Sequence, residues 1–485
     1  MKVAVVLHAH LPWVRATTPW TVEERWFHDA MWTCYLPLLD VFDDEGPVTL
    51  SLSPTLLEML GDRTLAARFE THLDALDELN HRHRGRPDAP FYARRIAGAR
   101  ARFRHPRGDV VTRLAAAAAR GRIELWTTAV THGYLPGLGL VNGSVAAQVR
   151  LGRDVFARAL GGDPSGFWLP ECGIDRRVVD EVTRAGLDAP SVLDAHAIPR
   201  AGRTAGGWIF WPRHLHATHR VWSRAHGYPG HAHYREFHRD LGHEIADPSP
   251  FGAGTMTGLK PYRIDGGPYR SREAETQAKR HAADFVTWLA QAATTRASPL
   301  LVAFDAELFG HWWFEGPTFL REVLAGIDGH PRLGLATVSQ LEPPLGAPVS
   351  PEPSSWGRGG DHRVWVGPRT ARLWRHIHAT ARQLAAAVAA TPPETSSPGL
   401  DHALREGLLL QASDWAFALE DGQAAAYAAS RVRAHRRGVA AGLEAWRRGA
   451  DVDAVPDAPG FLEAWRGESL RAAFRALAYT LDHNR

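Results

Sequence analysis

Residues 300–317 read Leu-Leu-Val-Ala-Phe-Asp-Ala-Glu-Leu-Phe-Gly-His-Trp-Trp-Phe-Glu-Gly-Pro. The apolar run Leu300–Ala303 is short and follows Pro299, which predicts a buried β-strand. Asp305 then stands at the carboxyl end of this strand. In barrels of alternating strands and helices, catalytic residues collect at that end, so the stretch predicts an α/β barrel with a functional rim.

The loop that follows this strand combines carboxylates, an imidazole and two adjacent indoles. The residues that carry these groups are Glu307, His311, Trp312, Trp313 and Glu315. Carboxylates handle protons and cationic transition states, and aromatic rings stack on the C–H faces of sugars. The composition therefore favours a carbohydrate site. The alternative is a loop whose aromatic rings only cap the barrel.

The overall composition is that of an ordinary globular protein with many tryptophans. The 485 residues suffice for two or three domains, with 45% hydrophobic and 22% charged residues. A net charge of +3 that is evenly spread argues against nucleic-acid binding. The 18 tryptophans, many beside Gly, His, Asp or Glu, favour a carbohydrate-binding surface.

The chain contains two cysteines, Cys34 and Cys172, which are too few for a disulfide scaffold. No basic segment with a following apolar segment precedes the first strand, and no run of about 18 apolar residues occurs. We therefore expect a cytoplasmic protein with no membrane and no nucleic-acid partner. We also expect a monomer or a weak homodimer.

Two further predicted strands bear polar residues that could reach the same rim. The strand Lys2–Leu7 runs into His8 and His10, which point the same way because they are two residues apart on an extended segment. The pair could bind a metal, could hydrogen-bond sugar hydroxyls, or could be structural. Glu124 lies inside the strand Ile123–Thr128, either as a buried support or as a rim residue.

Glu171 is the candidate nucleophile. It directly follows the short strand Phe167–Leu169, which Pro170 ends. A carboxylate at the end of an apolar strand, between Pro and Cys, is badly placed for a solvated surface. It is well placed to meet Asp305 at one rim of a barrel.

The rest of the chain divides into two predicted domains. Residues 1–345 form the barrel, with a helical insertion at 61–118, and residues 346–485 form a helical C-terminal domain. Residues 198–250 have little periodicity and are predicted to be a long functional loop. The predicted C-terminal helices are Thr370–Ala390, Asp401–Leu419, Gly422–Arg448 and Gly460–Leu481.

Five motifs resemble, in order along the chain, those of glycoside hydrolase family 57, and within it the 1,4-α-glucan branching enzymes. These motifs are His8-Ala-His-Leu-Pro12, Glu124-Leu-Trp-Thr-Thr-Ala-Val-Thr-His-Gly-Tyr-Leu-Pro136, Trp168-Leu-Pro-Glu-Cys172, Asp305-Ala-Glu-Leu-Phe-Gly-His-Trp-Trp313 and Leu408-Leu-Leu-Gln-Ala-Ser-Asp-Trp415. Five motifs in order are specific evidence, whereas any one of them would be weak.

The resemblance implies an incomplete (β/α)7 barrel whose helical C-terminal domain lines a groove for α-glucan, with no cofactor and no metal. It implies a retaining mechanism, with Glu171 as the nucleophile and Asp305 as the general acid/base. The two carboxyls of such an enzyme lie about 5 to 5.5 Å apart. The predicted substrate-binding residues are His8, His10, Trp13, Trp26, His132, Trp168, Glu307, His311, Trp312, Trp313, Asp414 and Trp415.

Other functions remain open from the residues alone. A metal hydrolase could begin with His8, His10 and Asp305, and a non-catalytic glucan-binding protein could keep the tryptophans. Within the family, an α-amylase or a 4-α-glucanotransferase is the alternative.

A mobile loop whose tyrosine closes over the site is typical of the branching enzymes of this family. Here no tyrosine occurs from residue 173 to 227, and the stretch 198–220 offers only Trp208, Phe210 and Trp211 as large rings. Excluding water favours transfer to a sugar. We therefore expect a raised share of hydrolysis or a low total activity.

Overall fold

In this computed structural model, the structure describes residues 1–106, 108–141, 143–187, 189–252, 254–294, 298–343, 345–450 and 459–475. The strands in these ranges are β1 Lys2–Ala9, β2 Val48–Leu52, β3 Ile123–Thr128, β4 Phe167–Trp168, β5 Ser191–Leu193, β6 Gly202–Arg203, β7 Ile209–Pro212, β8 Leu300–Asp305 and β9 Gly334–Leu335.

The α-helices of the described residues lie between these strands and after them. In chain order they are α1 Val22–Ala30, α2 Leu36–Asp44, α3 Pro54–Leu60, α4 Arg63–Arg82, α5 Ala89–Phe103, α6 Val110–Ala119, α7 Leu135–Leu138, α8 Ser144–Leu160, α9 Arg176–Arg184, α10 Leu215–Trp222, α11 Ser271–Thr294, α12 Gly316–Asp328, α13 Ala371–Ala389, α14 Pro398–Leu410, α15 Ser413–Asp421, α16 Ala425–Arg448 and α17 Glu468–Arg475.

Seven parallel strands of the described residues, β1 to β5, β7 and β8, form the predicted incomplete barrel. One sheet has the order β4-β3-β2-β1-β8, with β9 beside β1, and a second sheet pairs β5 with β7. Single hydrogen bonds join the two sheets on both sides. They run from Phe167 N–H to the Pro190 carbonyl at 3.0 Å and from His214 N–H to the Leu301 carbonyl at 2.8 Å. The ring is therefore closed only loosely at β4–β5 and at β7–β8.

Alternation along the strands decides which side chains fill the barrel. On β1, Val3, Val5 and Leu7 pack in the large outer core, whereas Ala4 and Val6 belong to a separate cluster. This interior cluster also contains Trp126, Trp168, Val192, Trp211, Leu301 and Ala303. Three indoles thus fill the barrel interior, which accounts for part of the high tryptophan content as core.

Glu124 is a buried support and not a rim residue. It is the second residue of β3, near the amino end of the barrel. Its carboxylate accepts hydrogen bonds from the Trp126 indole at 2.7 Å and from the Ser339 hydroxyl at 2.5 Å. The two alternatives left by the sequence are thereby resolved.

Residues 198–250 are not the single long loop that we predicted from the sequence. They contain β6, β7 and α10, so the barrel alternation continues through them. The prediction was wrong because β7 is only four residues long and is rich in aromatic residues. Ile209 and Phe210 lie level with the start of β5, so the turn between β6 and β7 lies at the amino end of the barrel.

The C-terminal helices agree with the prediction except at two places. The predicted helix 401–419 is two helices, α14 and α15, with Gln411 and Ala412 between them. The last predicted helix, 460–481, is helical only over α17, because residues 460–467 form turns and coil. Residues 476–481 lie outside the described residues. Within the described part of the chain, no helix is both long and apolar enough to cross a membrane.

Candidate active site

The carboxyl ends of β1 and β8 place His8 beside Asp305, since these two residues are partners in the parallel pairing. Glu171 reaches the same rim from the short turn Pro170–Cys172 after β4. Its backbone has φ 61° and ψ 20°, in the left-handed region, which is uncommon for a residue with a side chain. Such backbone strain concentrates at functional sites.

Both carboxylate oxygens of Glu171 are held by hydrogen bonds. The Trp356 indole N–H donates to Oε2 at 2.8 Å, and the Ser413 hydroxyl donates to Oε1 at 2.9 Å. The backbone N–H of Trp356 also donates to the Glu171 carbonyl at 2.9 Å. The orientation of this carboxylate is therefore defined before any substrate binds.

The two carboxyls titrate close to neutrality. Burial raises the pKa of Glu171 to about 7, against the opposing hydrogen bonds from Trp356 and Ser413. Burial and the Glu307 carboxylate raise the pKa of Asp305 to about 7, while Arg213 and His10 oppose the shift. The Asp305 carboxylate also raises the pKa of Glu171, so ionisation of Asp305 disfavours ionisation of Glu171. One carboxyl can then act as an acid while the other is an anion.

His10 is held by carboxylates and keeps one free nitrogen. Its Nε2 lies 3.1 Å from Asp414 Oδ2, and its backbone N–H donates to Glu307 Oε1 at 3.1 Å. Burial lowers the pKa of His10, but Asp414 and the nearby Glu171 and Glu307 carboxylates offset this and raise it overall. Its Nδ1 is buried without a hydrogen-bond partner among the described residues. His10 therefore differs from its neighbouring imidazoles in having one ring nitrogen to which no described protein group is hydrogen-bonded, and its side chain is 12% exposed.

His8 and His132 have both ring nitrogens occupied by protein groups. His8 contacts Ser51 Oγ at 3.1 Å and His132 Nε2 at 2.9 Å, and His132 contacts Ser413 Oγ at 2.9 Å. Burial lowers the pKa of both imidazoles well below the ordinary value, so both are neutral. These two predicted substrate-binding residues lie in the site with no nitrogen free for a hydroxyl.

Most of the predicted indoles are buried. Those with little or no exposed surface are Trp13, Trp168, Trp313 and Trp415. Trp168 stacks under His8 with 4.8 Å between ring centroids, and the Trp415 N–H donates to its neighbouring Leu409 carbonyl at 2.7 Å. Trp13 packs on Phe461 at 5.4 Å and has a buried indole N–H without a partner among the described residues.

Two predicted indoles keep surface for a ligand. Trp312 is 56% exposed and stacks on Phe237 with 4.5 Å between ring centroids. Trp26 is partly buried and meets the Tyr427 ring edge-on at 5.2 Å. His311 lies beside Phe237, and burial lowers its pKa to about 4, so it is neutral at physiological pH.

Glu307 holds the loop after β8 in place. The Tyr35 hydroxyl donates to Glu307 Oε1 at 2.6 Å, in addition to the bond from His10. Tyr35 ends the π-helical turn 31–35 between α1 and α2, and such turns often occur at functional sites. A Cβ on Gly310, which has φ 115°, would lie 1.9 Å from the Thr33 carbonyl oxygen. Only glycine therefore allows this loop to approach the turn.

Sequence reasoning missed Trp356, Ser413, Tyr35 and Arg213. Arg213 pairs with Asp194 at 2.7 Å and lies over the Trp356 ring at 5.2 Å. Trp356 lies in a Trp/Gly/Asp-rich loop and Ser413 in the motif 408–415, so both had a local signal. Tyr35 and Arg213 had none. Among the described residues, no group of three His, Cys, Asp or Glu side chains is arranged to hold a metal ion.

Glu171 and Asp305 are largely but not fully buried at the rim of a parallel barrel, and paired carboxyls of this kind are typical of glycoside hydrolases. The model of glycosyl hydrolase family 57 matches residues 4–196, and the model of the 1,4-alpha-glucan branching enzyme C-terminal region matches residues 376–458. A probable 1,4-alpha-glucan branching enzyme of Mycobacterium tuberculosis is 30% identical over 514 residues, which cover 92% of each chain. The chain belongs to glycosyl hydrolase family 57.

Solved structures of the same architecture exist. An alpha-amylase from Thermotoga maritima is 27% identical, with a TM-score of 0.83 over 98% of this chain and 99% of that one. A GH57-type branching enzyme from Pyrococcus horikoshii is 24% identical, with a TM-score of 0.85 over 98% of this chain and 96% of that one. These similarities confirm the predicted α/β fold with its helical C-terminal region.

Proposed function

We propose that this chain is a retaining 1,4-α-glucan branching enzyme. The observation that carries the proposal is the pair of carboxyls, Glu171 and Asp305, which both titrate near pH 7 at one barrel rim. The match to the branching-enzyme C-terminal model and the name of the Mycobacterium tuberculosis relative support the choice of reaction.

Glu171, as the anion, attacks the anomeric carbon of an α-1,4-linked glucose unit. Protonated Asp305 donates its proton to the leaving glycosidic oxygen, which departs as the 4-hydroxyl of the released chain. In the second step, a 6-hydroxyl of another glucan chain attacks the glucosyl-enzyme, and the Asp305 carboxylate takes its proton. The products are an α-1,6 branch and the starting state of both carboxyls.

The surrounding residues have supporting roles in this proposal. The His10 imidazole, whose side chain is 12% exposed, lies against the sugar at the cleavage point, and Asp414 holds its Nε2. Trp26 and Trp312 offer ring surface to glucan chains further from the bond that is cleaved. The barrel, 1–345, and the helical region, 346–485, together form the groove.

A mainly hydrolytic α-amylase or a 4-α-glucanotransferase is not favoured. The C-terminal match and the relative with 92% coverage both carry the branching-enzyme description. We further infer a cytoplasmic protein of α-glucan synthesis that acts as a monomer or a weak homodimer. The buried free thiols of Cys34 and Cys172 are compatible with a reducing compartment.

The test is incubation with amylose, followed by counting new α-1,6 linkages and new reducing ends. We expect branches from the unaltered protein and a loss of about three or more orders of magnitude in Glu171→Gln and in Asp305→Asn. Glu181→Gln is the matched control, because burial also raises the pKa of Glu181, on α9, to about 7. Substantial turnover in either active-site variant would refute the assignment.

A further inference from the structure

A continuous hydrogen-bonded chain of side chains runs through the buried rim to Glu171. It joins Ser51 to His8 at 3.1 Å, His8 to His132 at 2.9 Å, His132 to Ser413 at 2.9 Å and Ser413 to Glu171 at 2.9 Å. His132 Nδ1 is 3.6 Å from the Glu171 carboxylate, which is beyond hydrogen-bond distance. Ser413 is therefore the group that connects the imidazole pair to the carboxylate.

The chain admits one consistent direction when Glu171 is an anion. An ionised carboxylate only accepts, so the Ser413 hydroxyl must donate to it and must accept from Nδ1–H of His132. A neutral imidazole has one N–H, so His132 Nε2 accepts from Nε2–H of His8. His8 Nδ1 then accepts from the Ser51 hydroxyl. Each donor in the chain points toward Glu171.

We propose that Ser413 is a positioning residue for the reaction. Its hydroxyl holds Glu171 Oε1 in the attacking orientation, and the hydrogen bond that it accepts from the neutral His8–His132 pair strengthens its own donation to Glu171. The inference rests on the proposed role of Glu171 as the nucleophile. Preorganised donors of this kind favour the anion and cost no rearrangement during the reaction.

The break between α14 and α15 is what delivers this hydroxyl to the barrel. Ser413 N–H donates to the His132 carbonyl at 3.1 Å, and Gln411 Oε1 accepts from Gln148 of α8 at 2.8 Å. The Leu408 carbonyl accepts from the Thr131 hydroxyl at 2.7 Å. The C-terminal region is thereby attached to the loop after β3. Both donors to Glu171, Trp356 and Ser413, lie in residues 346–485, so the barrel alone would lack them.

The test starts from Ser413→Ala, which removes only the hydroxyl. We expect kcat to fall by about 10- to 100-fold while KM for amylose changes less than about 3-fold, because the carboxylate and not the glucan loses a contact. Ser413→Thr keeps the hydroxyl and should restore most of kcat. Ser191→Ala is the matched control, because the Ser191 hydroxyl is buried in β5 and accepts a hydrogen bond from the Trp208 indole at 3.2 Å.

The pH profile separates positioning from simple loss of structure. The charged groups that act on Glu171 are Asp305 and Asp414, together with His10, and all of them stay in the variant. Removing the Ser413 donor raises the pKa of Glu171 further, so less of it is ionised at neutral pH. We expect the acidic limb of the pH profile of kcat in Ser413→Ala to move to higher pH by about half a pH unit or more.

Two results would overturn the inference. One is a kcat of Ser413→Ala equal to that of Ser191→Ala, and the other is a fall in kcat with an unmoved acidic limb and a melting temperature lowered in parallel. If Glu171→Gln is inactive while Ser413→Ala is unaffected, only this inference fails. If Glu171→Gln remains active, the proposed function itself fails.

Discussion

Two tryptophan-rich stretches of this chain differ in exposure, although Trp313 in the first of them is also buried. In the loop after β8, Trp312 is exposed on a Phe237 ring, a few residues from Asp305 and Glu307. In β7 and the turn before it, Trp208 and Trp211 are buried. Trp208 donates its indole N–H to Ser191 at the amino end of the barrel, away from the carboxyl rim.

The difference shows that residue type does not decide the role of an aromatic ring in this protein. Position in the fold does. Side chains on the inner face of the strands fill the barrel, whereas beyond the carboxyl end of β8 Trp312 is exposed and its neighbour Trp313 packs in the outer core. Neither Trp208 nor Trp211 can take the place of a lid tyrosine, since one lies at the wrong end of the barrel and the other inside it.

The largest effect that would test this comparison is on stability. Trp211→Ala removes a large ring from the barrel interior, and we expect a loss of about 3 to 5 kcal/mol in the free energy of unfolding. Trp312→Ala should cost less than about 1 kcal/mol, since the ring is more than half exposed. Denaturant titration measures both, and equal losses would contradict the assignment of core and surface.

The carboxyl beside the exposed stretch should itself destabilise the fold at high pH. Burial raises the pKa of Asp305 to about 7, so protonated Asp305 is favoured in the folded state. The stability that protonated Asp305 contributes to the free energy of unfolding is present at pH 4 and is lost as pH rises through 7. We expect Asp305→Asn to be more stable than the unaltered protein at pH 8.5 by roughly 2 kcal/mol, and equal to it near pH 4.

A useful contrast for this measurement is Asp194, whose pKa is lowered because the attraction of Arg213 outweighs burial. Asp194→Asn should therefore destabilise the protein at pH 8.5. Melting curves of both variants between pH 4 and 8.5 check the opposite signs. An Asp305→Asn variant that is less stable at pH 8.5 would mean that burial does not penalise this carboxylate.

The exposed ring should matter for the substrate and not for the fold. We expect Trp312→Ala to raise KM for amylose by about 3- to 10-fold with a smaller change in kcat, because one stacked ring contributes about 1 kcal/mol to binding. Trp222→Ala is the control, since Trp222 is 62% exposed at the end of α10. Equal KM values in the two variants would contradict the assignment of Trp312 to the glucan groove.

The smallest expected effect concerns transfer against hydrolysis. With no tyrosine between residues 173 and 227 and with the rings of 208–211 buried, we expect water to reach the glucosyl-enzyme more often than in relatives that carry a loop tyrosine. The measurement is the ratio of α-1,6 linkages formed to reducing ends released. A ratio that strongly favours transfer would show that another group excludes water.

Much of the fold could be predicted because its signals are local. The apolar strand 300–304 and the helical insertion 61–118 follow directly from residue patterns, and the structure has β8 and the helices α4 to α6 there. Short aromatic β7 was missed because four residues carry no periodicity. The break between α14 and α15 was missed because Gln-Ala is ordinary helical sequence, and contacts with the barrel fix it.

The sequence by itself determined that Glu171 and Asp305 end two strands of one barrel and that indoles and imidazoles accompany them. Only the tertiary structure decided which of these groups face a ligand. The ring nitrogens of His8 and His132 hydrogen-bond to each other and to serine hydroxyls. His10 has one ring nitrogen without a hydrogen-bond partner among the described residues. The reason is that a hydrogen bond joins atoms from β1, β3 and α15, whose approach depends on the packing of the whole barrel against its helical region.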